Sequence, residues 1–568
     1  MTIEIRRRES RASLDCPDLH PVLVRIYRAR GIGSIDELKL DLDRLVPVGS
    51  LDCVQAAAEL LFAHRAKGRG LIVGDFDADG ATSTALMVRA LRACGFAHVD
   101  FVVPDRFRFG YGLTPRIVEA AIERRPTLIV TVDNGVASIE GVALARKSGM
   151  DVLVTDHHLP GRELPAASVI VNPNLPASGF ASRCLAGVGV AFYVIAALSR
   201  LLPGSSNPAQ WLDLVALGTV ADLVPLDRNN RVLVHQGLIR IRAGRCVPGI
   251  RALIEVAGRR QSATTAADLG FSVAPRLNAA GRLTDMRLGI DCLLAESPGD
   301  AARLAEQLSE LNARRRDIEA RMQEEAVRIA TSFLSGSDGK PRAAGLCLFD
   351  PGWHPGVVGL VAGRLKHRLH RPVIALAPEQ AGTLRGSARS VEGVHIRDVL
   401  DVVATAHPGL LDKFGGHAMA AGVSLASGNL EAFAAAFDQA VRQAAGGEAL
   451  GAMRHSDGEL APTEISLETA RALRDGGPWG QGFAEPQFDG EFDLLETRLV
   501  GERHLKMRLR AVTGGATMDA IHFGYLGSEF DDPRVRAGTR VRLLYRLEVN
   551  DYAGTERLQI NSSCLMPA

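Results

Sequence analysis

Paired cysteines are the first thing this 568-residue chain lacks: its eight, at 16, 53, 94, 184, 246, 292, 347 and 564, are scattered with no CxxC among them. That argues against a zinc ribbon or a disulfide framework and fits a reducing cytoplasm. Net charge is nearly absent too, with 66 basic against 65 acidic side chains and a formal balance of +1. Any surface for a polyanion must therefore be local. Long apolar runs are also missing. The longest uncharged apolar stretch, between Arg183 and Arg200, is glycine-rich and shorter than the ~20 residues that span a bilayer. It is expected to be a buried core helix, with no membrane partner. The N-terminal MTIEIRRRESRASLD has arginines but no apolar stretch of signal-peptide length behind them, so secretion is not expected. No internal repeat or low-complexity tract stands out.

What is present is a 46% hydrophobic, 23% charged composition, ordinary for a globular chain with several packed cores. From residue 70 to about 172 short β-rich runs alternate with helical patterns, which predicts a mostly parallel sheet flanked by helices. Residues 51–295 are read as this domain, after an N-terminal segment at 1–50. Leu304, Leu308, Leu311, Ile318, Met322 and Ile329 recur at helical spacing without proline, predicting a connecting helix over 296–335. Arg315 breaks the seam that a coiled coil would keep. GSDGKPR, at 336–342, marks a boundary before a smaller α/β domain over 336–445, and AAGGEALGA, at 444–452, reads as a linker. Residues 446–568 then carry five segments of β-type alternation, which suit an OB-fold barrel.

The acids are crowded. GDFDADG places Asp75, Asp77 and Asp79 within five positions, directly after Leu71-Ile72-Val73. Ligands of an open parallel sheet bind beyond the carboxyl ends of its strands. TLIVTV runs into Asp133 and DVLVT into Asp156, His157 and His158, while Asp222 ends the apolar run of LGTVADLVPL. Calcium in an EF-hand does not fit, because the twelfth position from Asp75 is Leu86 and the motif follows a strand. Several aspartates with histidine suit manganese, magnesium or iron. Two divalent ions about 3.5–4 Å apart would neutralise such a cluster and serve phosphoryl transfer. Taken singly, an Asp after a strand is more often a helix N-cap and an Asn-Gly pair more often a turn; neither accounts for acids at successive strand ends.

DFDADG, VDNG, TDHH and GTVADLVPL together resemble the four motifs of the DHH phosphoesterases. PDRFRFGYGL, APRLNAAGRL, WHPGVVGLVAGRL, GSARS and FGGHAMAAG are similar, in the same order, to stretches of the RecJ branch, which hydrolyses single-stranded DNA. The resemblance covers nearly the whole chain. It implies an α/β DHH domain joined by a long helix to a smaller α/β domain, with a C-terminal OB-fold barrel. The implied ligands of two divalent ions, manganese preferred or magnesium, are Asp77, Asp79, Asp133, His157 and Asp222, with Asp133 bridging and Asp75 a ligand or an outer carboxylate. His158 is implied at the scissile phosphate, and Asp156 behind a histidine. Position 73 is Val here, where other DHH branches carry histidine, which implies a less symmetric hold on the ions.

Phosphate contacts are expected from guanidinium forks, hydroxyls and glycine-exposed amides. GSARS offers Ser387 and Arg389, and GGHAMAAG offers His417. The resemblance adds Arg276, Asn278 and Arg282, and implies a 5′-phosphate pocket at Arg106, Ser387 and Arg389. Between residues 498 and 546 ten basic side chains face five acidic ones, with His522, Phe523, Tyr525 and Tyr545 among them as stacking groups for a single strand. The expectation is a cytoplasmic, monomeric 5′→3′ exonuclease that releases 5′-mononucleotides in DNA repair and recombination. Its expected partners are single-stranded-DNA-binding protein and a helicase. The alternatives are a small-substrate DHH phosphoesterase, against which the barrel argues, and a non-catalytic DNA-binding scaffold, against which every retained acid argues.

Overall fold

A computed structural model describes residues 3–104, 111–334, 343–380, 382–446, 452–501, 503–526, 528, 530–550 and 555–568. The expected boundary at 336–342 and the middle of the expected linker, 447–451, lie outside them. The chain divides into two compact units that interleave in sequence. One comprises Glu9–Asn312 and Glu468–Pro486; the other comprises Met1–Arg8, Ala313–Leu467 and Gln487–Ala568. The chain opens on a strand of the second unit, β1 (Ile3–Arg7).

In the first unit β2 (Arg69–Val73), β3 (His98–Val102), β4 (Leu128–Val132), β5 (Asp151–Thr155) and β6 (Val169–Val171) form a sheet in the order β3-β2-β4-β5-β6, every pair parallel. β4 is buried along its whole length, as a strand covered on both faces must be. One face packs Val73, Ile129, Val152 and Val154 against Ile117, Val118, Val142 and Ala145. Helices Ala78–Ala93, Gly187–Arg200 and Leu212–Ala221 pack against one another in the same unit. Gly187–Arg200 is the expected core helix, and Tyr193 within it is fully buried and donates to the Val46 carbonyl at 2.9 Å. Among the described residues no single helix is long and apolar enough to cross a membrane.

The expected connecting helix runs Pro298–Leu334, 37 residues, or about 55 Å at 1.5 Å per residue. Its buried positions are Ala301, Ala305, Leu308, Asn312, Arg315, Glu319, Met322, Ala326 and Ala330. Arg315 donates to Glu319 at 2.5 Å, and Arg364 also reaches Glu319, so the polar break in the seam is a buried ion-pair network.

The second unit holds β7 (Leu346–Phe349), β8 (Val373–Gln380), β9 (Thr383–Arg389), β10 (Lys413–Gly416) and β11 (Ala420–Ala426) in the order β10-β11-β9-β8-β7, with only β7 and β8 parallel. The strand β12 (Ala452–Ser456) pairs in parallel with β1, and Arg7 bridges to the buried Asp489 at 2.8 Å. Finally β13 (Phe488–Val500), β14 (His504–Ala511), β15 (Met518–His522), β16 (Arg540–Asn550) and β17 (Arg557–Pro567) close a barrel in the order β13-β14-β15-β17-β16. The expected stacking surface on this barrel needs correction. His522, Tyr525 and Tyr545 are buried, His522 against Tyr525 and Phe530 and Tyr545 against Phe488 and Phe492; of the four named rings only Phe523 is exposed.

Candidate metal centre

β2 delivers its chain past the sheet edge and the helix Ala78–Ala93 starts at once. Asp77 is its N-cap, one carboxylate oxygen accepting from the Asp79 and Gly80 amides at 3.0 Å each. Asp79, in the first turn, is buried and faces the start of another helix: its two oxygens accept from the Gly187 amide at 2.6 Å and the Val188 amide at 3.0 Å. Burial first, then Asp77, pushes its carboxyl up to about 7, against the pull of those amides. Asp75 is buried as well and accepts from the Phe76 amide at 2.7 Å.

At the end of β4, Asp133 adopts a left-handed φ of 62°, a conformation that a non-glycine residue holds only at a cost. Gly187 lies against it so closely that a methyl group there would be 2.6 Å from Asp133 Oδ1. Asn134 ties the rim together, donating to the Val73 carbonyl of β2 and the Val132 carbonyl of β4. Asp133 Oδ1 is buried and receives no hydrogen bond among the described residues, with His157 Nε2 3.1 Å away. Burial, followed by Asp79, Asp77, Asp75 and Asp222, holds its carboxyl well above the usual range.

After β5, Asp156 is buried and fully engaged. Oδ2 accepts from the Val136 amide at 2.8 Å; Oδ1 accepts from the His157 amide at 2.7 Å, the His158 amide at 3.1 Å and His158 Nδ1 at 2.8 Å. Burial opposes its ionisation, yet the His158 hydrogen bond and charge keep it below the usual carboxylate range. His158 in turn is pushed up to about 9, burial lowering it and the Asp156 hydrogen bond outweighing that. Asp222 closes the helix Leu212–Ala221 and lies 3.5 Å from His157 Nε2; burial, then Asp79 and Asp77, raises its carboxyl well above the usual value.

Three sets of potential ligand atoms therefore lie within 4.8 Å of one another: Asp75, Asp77 and Asp133; Asp79, His157 and Asp222; Asp133, His157 and His158. Protonation at neutral pH, or cations, must relieve this repulsion. Asp133 Oδ1, which makes no hydrogen bond among the described residues, and His157 Nε2 3.1 Å from it are a carboxylate and imidazole pair that fits a shared cation. All six residues expected as ligands converge.

Other expectations fare differently. Arg276 spends its guanidinium on the Ser272 and Val256 carbonyls and on the Ser309 hydroxyl, so the structure gives it a scaffold contact where a phosphate contact was expected. Asn278 likewise accepts from the Ala78 amide at 2.9 Å and pins the start of the acid-bearing helix. Arg282 is half-buried in the last turn of the helix Ala274–Leu283, and His417 is exposed in the turn between β10 and β11. Arg106 lies outside the described residues. In the second unit Arg389, on β9, donates to Ser387 Oγ at 2.6 Å and to the Ala388 carbonyl at 2.9 Å. Burial lowers its pKa, no carboxylate pairs with it among the described residues, and a methyl on Gly359, near the start of the helix Val358–Leu369, would be 3.1 Å from its Nη2.

Three functional groups escaped the sequence reading. Tyr111 Oη donates to the Asp133 carbonyl at 3.1 Å and lies 3.2 Å from His158 Nδ1. Asn172 and Asn174 hold the carbonyls of His158 and His157 at 2.9 and 2.6 Å. The tripeptide Asn172-Pro173-Asn174 just after β6 was the available signal.

Three family models match the chain: the DHH family N-terminal domain over residues 69–219, the DHHA1 domain over 342–443 and the RecJ OB domain over 456–563. Over 570 residues the chain is 49% identical to the single-stranded-DNA-specific exonuclease RecJ of Escherichia coli (strain K12), with 98% of each chain covered. Crystal structures of RecJ from Thermus thermophilus are similar in fold. The complex with Mn2+ has a TM-score of 0.79 at 31% identity and covers 97% of this chain and 76% of the other. The complex with Mg2+ has a TM-score of 0.73 at 30% identity, covering 97% and 75%.

Proposed function

The chain belongs to the RecJ family of single-stranded-DNA-specific exonucleases, and from that premise we propose which of its residues do the work and in which direction. It is a metal-dependent exonuclease acting on single-stranded DNA, with manganese or magnesium as cofactor. Asp75, Asp77, Asp79, Asp133, His157 and Asp222 are the residues that would hold two divalent ions, and Asp133 belongs to two of the three ligand sets. The observation that carries this reading is the buried Asp133 Oδ1, which makes no hydrogen bond among the described residues, in a cluster of acids and histidines drawn from four separate segments. When bound, such an ion pair supplies Lewis-acid charge and a low-pKa water for in-line attack on phosphorus.

The remaining chemistry belongs to side chains. Asp156 holds His158 through Nδ1 and favours its protonated form, which leaves the other ring nitrogen to donate to a scissile phosphate oxygen. Water adds across the P–O3′ bond: its oxygen joins phosphorus and a proton passes to the departing 3′-oxygen. The products are a 5′-mononucleotide and a strand one residue shorter.

Direction comes from the second unit. Arg389, without a carboxylate partner among the described residues and beside the Ser387 hydroxyl, is the anchor for a 5′-terminal phosphate. Cleavage at P–O3′ leaves a new 5′-phosphate on the strand, so the anchor is satisfied again after each step. By the sequence resemblance, Arg106, Arg282 and His417 are further candidates for contacts with the strand's phosphates. A cytoplasmic monomer working with single-stranded-DNA-binding protein and a helicase is part of the same proposal, because an enzyme confined to unpaired strands needs them opened and kept open. Arg389→Ala should lower the preference for 5′-phosphorylated over 5′-hydroxyl strands by about 10-fold or more, a charged hydrogen bond being worth about 1.5–3 kcal/mol. An unchanged ratio would remove Arg389 from the anchor.

A further inference from the structure

Phe271 is 79% exposed, the most exposed of the large apolar side chains among the described residues. It lies in the π-helical turn Leu269–Val273, directly before the helix Ala274–Leu283. Such turns are uncommon and recur at functional sites. This one is fixed from two sides. The Arg276 guanidinium donates to the Ser272 carbonyl, and Arg259 Nε donates to Ser272 Oγ at 3.3 Å while also facing Asp268 at 3.3 Å. A phenyl ring this exposed to water contributes little to the core.

Its position is specific. Gly270 abuts the end of the helix that terminates in Asp222: a methyl on Gly270 would be 3.0 Å from Val220 Cγ1. The residue after Asp222 is Leu223, 64% exposed and held at a left-handed φ of 60°. Two exposed apolar side chains thus lie on the two segments that meet at the corner carrying a proposed metal ligand. Exposed aromatic faces are the platforms on which bases of a single strand stack without their sequence being read.

We propose that Phe271 is a base-stacking residue for the single-stranded DNA substrate, positioning a nucleotide beside the Asp222 end of the metal centre. The inference rests on the exonuclease reading and adds a subsite to it. The test uses the full chain with calcium in place of manganese, and measures (dT)30 affinity by fluorescence anisotropy for wild type, F271A, F271L and F271W, with a melting curve for each. Stacking predicts about 5- to 100-fold weaker binding for F271A and F271L, near-wild-type binding for F271W with its added indole emission quenched by saturating strand, and unchanged melting in all three. A strand carrying abasic sites should bind wild type and F271A alike. The proposal is overturned if F271A binds (dT)30 as wild type does, or if the indole of F271W ignores a bound strand. If wild type with manganese does not degrade (dT)30, the exonuclease reading itself fails, an outcome distinct from a wild type that cuts while F271A binds normally.

Discussion

Asp133 concentrates the strain of the site in one residue: a left-handed backbone, a buried carboxylate oxygen that makes no hydrogen bond among the described residues, and four other aspartates that raise its pKa. No substitution at Asp133 is needed to test its placement, because Gly187 bears on it. The methyl group of Gly187→Ala would come within 2.6 Å of Asp133 Oδ1 and Cβ, at the very amide that Asp79 accepts. Overpacking of this kind costs about 1–3 kcal/mol. Gly187→Ala should therefore weaken manganese binding by about 10- to 100-fold, read by calorimetric titration, with the far-ultraviolet circular dichroism unchanged. Wild-type affinity in that variant would mean that Asp133 does not need its observed position. The residue scale also separates Asp156 from the other acids: its hydrogen bonds among the described residues go to amides and to His158. Its low pKa belongs to a group that orients an imidazole, whereas the raised values of Asp79, Asp133 and Asp222 belong to groups awaiting positive charge.

At the scale of elements, the acid-bearing helix Ala78–Ala93 is fastened at its start by a residue two hundred positions away, Asn278. Asn278→Ala leaves the Ala78 amide without its acceptor at a helix terminus, for which about 0.5–2 kcal/mol is the usual cost. The melting temperature should fall by a few degrees and manganese affinity should fall with it; a variant that loses DNA affinity alone, at wild-type stability, would restore Asn278 to the phosphate-binding set. The rim was legible in the sequence because Asp75, Asp133 and Asp156 each follow an apolar run long enough to be a strand, and chain direction in a parallel sheet sends all the strand ends to one side; Asp222, at the end of the helix Leu212–Ala221, falls outside that rule. The long helix was legible in extent but not in its seam. Leu304, Ile318 and Ile329 are only partly buried, while Ala301, Ala305, Ala326 and Ala330 are buried, because small residues allow close approach that a count of large apolar side chains overlooks. The barrel misled in a different way. Aromatics in a β segment read the same inside and outside, and His522 and Tyr545 point inward whereas Phe523 stands just past the end of β15. Arg276 and Asn278 were legible as residues of note, but their contacts with the Ser272 and Val256 carbonyls and the Ala78 amide were not, since a guanidinium or a side-chain amide serves backbone groups as readily as a phosphate.

For the molecule as a whole, a formal charge of +1 conceals two opposite local fields. In the first unit, acids from Asp75 to Asp222 gather in one buried cluster; in the second, Arg389 and a barrel with an excess of arginine offer positive charge. A polyanionic substrate suits the second field and is repelled by the first until cations occupy it, which ties DNA cleavage to metal loading. Family membership and the domain matches along the chain agree with that division of labour. The most direct test is electron paramagnetic resonance of the full-length protein titrated with Mn2+. Two ions per chain with an exchange-coupled signal, collapsing to at most one uncoupled ion in Asp133→Ala, is the predicted result. A wild type that binds a single ion, or two with independent signals that persist in Asp133→Ala, would contradict the shared-carboxylate centre.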